Sequence, residues 1–142
     1  MFCPIQKTFV FFLNINIYGF INSKISPVHE TSSTNQHAEG ADDPAIWLHP
    51  TDPSQSVILG TDKIGGGIGV YDLQGQGISF YKSGRINNID VRYDFELNIN
   101  NKVDIVAVSN RTDNTIEVFE YDYNNKKLKL LSDPKVANGS IL

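Results

Sequence analysis

The chain has a single cysteine, Cys3, so no internal disulfide can form, and stability outside a cell has to come from packing or bound metal. Positive charge is also short. Against 16 Asp and Glu stand 12 Lys and Arg, a formal net charge of −4 with no basic stripe. Non-specific nucleic-acid binders need the opposite surplus to displace counterions from phosphates, which excludes that class. No run reaches the roughly 20 apolar residues that a membrane-spanning helix requires, so no membrane partner is expected. His29, His37 and His49 lack metal-ligand spacing, and neither a serine nucleophile elbow nor a CxxC pair occurs. Ser- or Cys-based nucleophilic catalysis is therefore not expected. A 3.6-residue apolar period is missing throughout.

What is present is a composition of 40% apolar and 20% charged residues over 142 positions, enough for one domain with a packed core. Residues 1–26 stand apart. Their apolar stretch from Phe9 to Leu13 is interrupted soon after by Asn14 and Asn16, and no small-residue cleavage site follows. We read this segment as signal-like or disordered, with secretion or periplasmic export as the expectation, and set it aside from the fold. From Asp43 onward, short runs rich in Val, Ile, Phe and Tyr alternate with turn residues: "PAIWLHP", "SVILGTDK", "GIGVYDL", "ISFYKSG", "NNIDVRYDF", "KVDIVAVSNR", "TIEVFEYDY" and "KLKLLS". Such a pattern predicts an all-β chain.

The chain also repeats itself. "VILGTDK" aligns with "IVAVSNR" at an offset of 48, which also lays Ile68, Val70 and Tyr71 on Ile116, Val118 and Phe119. Upstream, Ile46 and Leu48 fall on Val91 and Tyr93 at an offset of 45, the difference being assigned to a loop, "ELNINNK". Two four-stranded units of this length suit the blades of a β-propeller, with a two-sheet sandwich as the alternative. Propellers take typically 4–8 blades, so the chain is expected to be a fragment, its unpaired strand edges awaiting neighbours.

The repeat brings chemistry into register. Lys63 and Arg111 follow the second strand of each unit, directly after "TD" and "SN", and so point to a common face where they could share an anion. Each first strand is preceded by an oxygen-rich pair, Asp42-Asp43 and Asn87-Asn88. Carboxylates, amides and backbone carbonyls are the hard ligands of Ca²⁺, although Asp and Asn also start turns, and the residues alone leave both readings open. Glu30 and Glu39 add two carboxylates upstream. Gly65 to Gly67 read as a hairpin turn rather than a phosphate loop, because no helix follows them.

"DDPAIWLHPTDPSQSVILGTDK", "GVYDLQGQ", "INNIDVRYDF", "VDIVAVSNR" and "NTIEVFEYD" together resemble the β-propeller phytases. The similarity runs from about Glu30 to Pro134, making 27–142 the N-terminal part of a truncated phytase domain. The resemblance implies a six-bladed propeller, of which this chain covers about the first two blades, and hydrolysis of phytate held as its calcium salt. It also implies several Ca²⁺ ions and a monomer at full length. Asp43, the Pro44 carbonyl, the Asn87 side chain and the Ile89 carbonyl would hold a structural calcium. Glu30, Glu39 and Asp42 would belong to the catalytic calcium cluster, with Glu39 standing where the family usually has Asp. Lys63 and Arg111 match the cations that grip substrate phosphates.

Two departures matter. Ile64 replaces a second lysine and an extra glycine follows it, while the acidic ligands, tyrosine and lysine of the family's later blades do not occur in this sequence. Calcium would neutralise phosphate oxygens and activate a water for attack on phosphorus, with no covalent intermediate. A non-catalytic propeller that binds calcium or a protein, and another phosphatase or phosphodiesterase on the same scaffold, are the alternatives. The chain by itself is expected to be weakly active or inactive.

Overall fold

A computed structural model describes residues 26–33 and 40–131. Two antiparallel four-stranded meanders fill the second stretch. Sheet 1 contains β1 (Ala41–Trp47), β2 (Val57–Asp62), β3 (Gly67–Tyr71) and β4 (Gly77–Lys82), hydrogen-bonded in that order. Sheet 2 repeats the arrangement with β5 (Ile86–Asn98), β6 (Asn101–Asn110), β7 (Thr115–Asp122) and β8 (Lys127–Leu130). Short connections explain the meander, since antiparallel neighbours need only a tight turn between them. Residues Lys63 to Gly66 make the β2–β3 turn expected of the glycines, and Gly66 supplies the positive φ of 76° that closes it. Asn114 does the same in sheet 2, at a φ of 54°.

Strand register bears out the internal repeat residue by residue. Ile46 pairs with Ile58 and Val91 with Val106, so both offsets hold in three dimensions. The assignment of "ELNINNK" to a loop needs correction. Its residues are mostly strand, because β5 runs to Asn98, β6 restarts at Asn101, and only Ile99 and Asn100 turn. Register shifts between Arg92 and Phe95 and between Glu96 and Asn98 take up the extra length, helped by a φ of 52° at Asp94. Sheet 1 makes the corresponding connection through a 3-10 turn at Pro53–Gln55, capped by Asp52, whose carboxylate accepts from Ser54 N at 3.0 Å.

The core lies between the sheets. Leu59, Ile68 and Val70 of sheet 1 cluster with Val106, Val108 and Phe119 of sheet 2. Contacts across the seam join Trp47 to Tyr121 (4.8 Å between ring centroids) and Tyr81 to Phe119 (4.8 Å). Phe119 faces this seam, yet its repeat counterpart Tyr71 lies on the other face of sheet 1, over Gly69 and beside Ser32 and Ser33. Opposite faces of equivalent sheets therefore meet. A head-to-tail stack of this kind leaves an equivalent face free to receive a further sheet, which fits successive propeller blades and leaves the sandwich without support.

Candidate functional site

Four strand ends converge where β1 and β5 begin and β2 and β6 finish. In both sheets the oxygen-rich pair sits on a β-bulge. Ala41 pairs with Asp62 and Pro44 with Gly60, which sets Asp42 and Asp43 together against Thr61. Likewise Ile86 pairs with Asn110 and Ile89 with Val108, setting Asn87 and Asn88 against Ser109. A bulge leaves its extra residue out of the ladder and re-aims the side chains beside it. Hydroxyls repair the interrupted ladder: Asp43 N donates to Thr61 Oγ1 at 2.9 Å, and Asn88 N donates to Ser109 Oγ at 3.0 Å.

Cations follow the same symmetry. The Lys63 amide donates to Gly40 O and the Arg111 amide to Arg85 O, both at 2.9 Å, fixing the start of each turn. Lys63 Nζ then reaches Asp42 Oδ1 at 3.0 Å, and Arg111 Nη1 reaches Asn87 Oδ1 at 3.4 Å. Both lie at the same end of neighbouring sheets, as the repeat predicts. Their partners differ in charge: Asp42 neutralises Lys63, while the amide of Asn87 leaves Arg111 with its full charge for an anion.

Beneath the turns, Asp62 and Asn110 are buried at equivalent positions. Asp62 Oδ1 accepts from the amides of Ile64 and Gly65, and Asn110 Oδ1 accepts from Thr112 N at 2.9 Å, so each side chain organises the turn that carries the cation. Burial pushes the nearby Tyr71 phenol up, and the Asp62 carboxylate adds to that shift. Sequence reasoning missed Asp62, Asn110, Thr61 and Ser109 as participants. The signal was there, since "TD" and "SN" align in the repeat, but only as a prefix to Lys63 and Arg111.

Asp43 is half-buried at the seam, where its Oδ2 accepts from Ile89 N at 3.1 Å. Thr61 Oγ1 also donates to Asn87 O at 2.9 Å, so Asp43, Asn87 and Ile89 are linked across the seam, with Pro44 next to Asp43 in β1. The potential donors are one carboxylate, one amide oxygen and two backbone carbonyls. This all-oxygen set suits a hard cation such as Ca²⁺ and not a soft or borderline one. No group of three or more acidic, histidine or cysteine side chains placed to hold a metal ion occurs among the described residues.

Glu30 is not brought to this end. Its segment runs past the β3–β4 connection, where Ser32 N donates to Gly75 O at 2.6 Å and the Glu30 carbonyl oxygen crowds Gly75. Because β3 leads away from the Lys63–Gly66 turn, Gly75 and Glu30 sit at the far end of sheet 1 from Asp42. The structure therefore does not bring Glu30, which the resemblance places in the catalytic cluster, together with Asp42. Glu39 lies outside the described residues, as does nearly all of segment 1–26.

The family model described as Phytase matches residues 12–141. A "3-phytase" of Bacillus subtilis (strain 168) is 44% identical over 113 residues, covering 78% of this chain and 29% of the relative's length. The chain thus spans less than a third of that relative, and the region matched contains both bulges and both cations. With a family match over residues 12–141 and 44% identity over 78% of its length, the chain belongs to the phytase family.

Proposed function

We propose that the chain forms the first two blades of a longer, calcium-dependent propeller enzyme that hydrolyses phosphate monoesters of phytate. The observation that carries this reading is the repeated cation: Lys63 and Arg111 project from equivalent turns at one end of adjacent sheets. Two such groups can engage different oxygens of a polyphosphorylated ring, each through charge-assisted hydrogen bonds. Lys63 has to leave Asp42 to do so, and a divalent cation at that carboxylate would release it.

Asp43, the Pro44 and Ile89 carbonyls and the Asn87 side chain would hold a structural calcium at the seam. Asp42 would contribute to the catalytic cluster together with Glu39, while Glu30 would join it only if its segment took another path. Bound calcium supplies positive charge that offsets phosphate and favours ionisation of water. Residues 1–26 are the basis for proposing export from the cell, and a monomeric state at full length is part of the same reading.

Phosphate release from calcium phytate, with and without chelator, tests the activity on the full-length protein, and calcium titration tests the present chain. Chelator-sensitive release by the full-length protein, with little or none from these two blades alone, is the expected result. Calcium binding with no release by the full-length protein would favour a non-catalytic calcium-binding propeller. Release that ignores chelator would remove calcium from the proposal.

A further inference from the structure

We infer that Thr61 is a positioning residue for a cation held at the seam between the sheets, an inference that rests on the calcium reading above. Its side chain is fully buried at 0% exposure and stands opposite the β1 bulge. Three backbone groups surround its hydroxyl. Asp43 N donates to it at 2.9 Å, Asn87 O lies at 2.9 Å and Asp43 O at 3.2 Å. A hydroxyl has one proton, and the shorter of the two acceptor distances directs it to Asn87 O.

A bridge results from β1 through β2 to β5: Asp43 N–H to Thr61 Oγ, then Thr61 O–H to the Asn87 carbonyl. Asp43 closes the ring by accepting from Ile89 N at 3.1 Å. Thus Thr61 sets the separation between the two bulges that carry Asp43 and Asn87, without itself supplying a ligand. Ser109 caps the equivalent bulge in sheet 2, with its hydroxyl 3.4 Å from Asn88 Oδ1. The cross-sheet bond distinguishes Thr61 from an ordinary ladder repair. Groups that orient metal ligands from outside the ligand set typically change affinity by about 10–100-fold when removed.

Calcium titration by calorimetry on the chain, comparing wild type with Thr61→Val and Thr61→Ser, tests this. Valine keeps the shape and removes the hydroxyl; serine keeps the hydroxyl and removes the methyl. Wild-type affinity in Thr61→Ser and a loss of roughly 10-fold or more in Thr61→Val are expected. Equal affinity in Thr61→Val and wild type, with only a lower melting temperature, would overturn the inference while leaving the calcium site intact. Should Thr61→Val fail to fold, Thr61→Ser still decides: a loss of affinity there assigns the role to the methyl and refutes the hydroxyl bridge. Absence of calcium binding in the folded wild-type chain overturns the underlying site and this inference together.

Discussion

Replacing Trp47 by phenylalanine tests whether the two sheets are tied at the end remote from the cations. Trp47 is 1% exposed, and its indole N–H, on sheet 1, donates to Asp104 Oδ2 on sheet 2 at 2.8 Å. Its ring meets Tyr121 at 4.8 Å and stacks near Tyr123 at 6.0 Å. A hydrogen bond to a charged acceptor contributes about 1.5–3 kcal/mol, and truncating a buried tryptophan to alanine costs about 3–5 kcal/mol. Phenylalanine keeps part of the ring contact but removes the donor. Trp47→Phe should therefore cost about 2–3 kcal/mol, or roughly 8–12 °C in melting temperature. Because the substitution deletes the only tryptophan, unfolding has to be followed by far-UV circular dichroism. A double-mutant cycle with Asp104→Ala should return a coupling of about 1 kcal/mol or more. A cost below about 0.5 kcal/mol, or full additivity of the two substitutions, would refute the strut between sheets.

Other expectations can be checked separately. Lys63→Ala and Arg111→Ala, made in the full-length protein, should each lower phosphate release from calcium phytate by roughly 10–100-fold, as expected for losing a charge-assisted bond to phosphate. Unchanged release in both would remove the cations from the site. Burial, with a smaller contribution from Asp122, pushes the Tyr121 phenol up to about 12 from 10.0. The folded state then holds its proton where the unfolded state has lost it, so stability is complete below pH 10 and falls as pH rises towards 12. Tyr121→Phe should flatten that decline in a melting-temperature series; an identical slope would show that another group controls it. Gly75 adopts a φ of 83°, and a Cβ there would collide with the Glu30 carbonyl. Gly75→Ala should cost about 1–3 kcal/mol in urea unfolding, whereas no loss would mean that the Glu30 segment does not pack there.

Eight strands, the β2–β3 hairpin and the equivalence of Lys63 with Arg111 were legible because alternation, turn chemistry and a repeat are local properties of the chain. Asp42-Asp43 and Asn87-Asn88 could be singled out by type, yet their bulges could not, since a one-residue slip in pairing exists only once a partner strand is present. The β5–β6 hairpin misled for a related reason. Asn-rich residues suggest a loop, but bulges let them continue the ladder.

The sequence by itself determined an all-β repeat whose matching positions carry cations and oxygen donors. Only the tertiary structure decided which faces of the two sheets meet, that Thr61 bridges Asp43 to Asn87, and that Glu30 lies away from Asp42. These are contacts between residues far apart along the chain or across a seam. Neither periodicity nor spacing encodes them, because they arise from how the two sheets bury their apolar faces against each other.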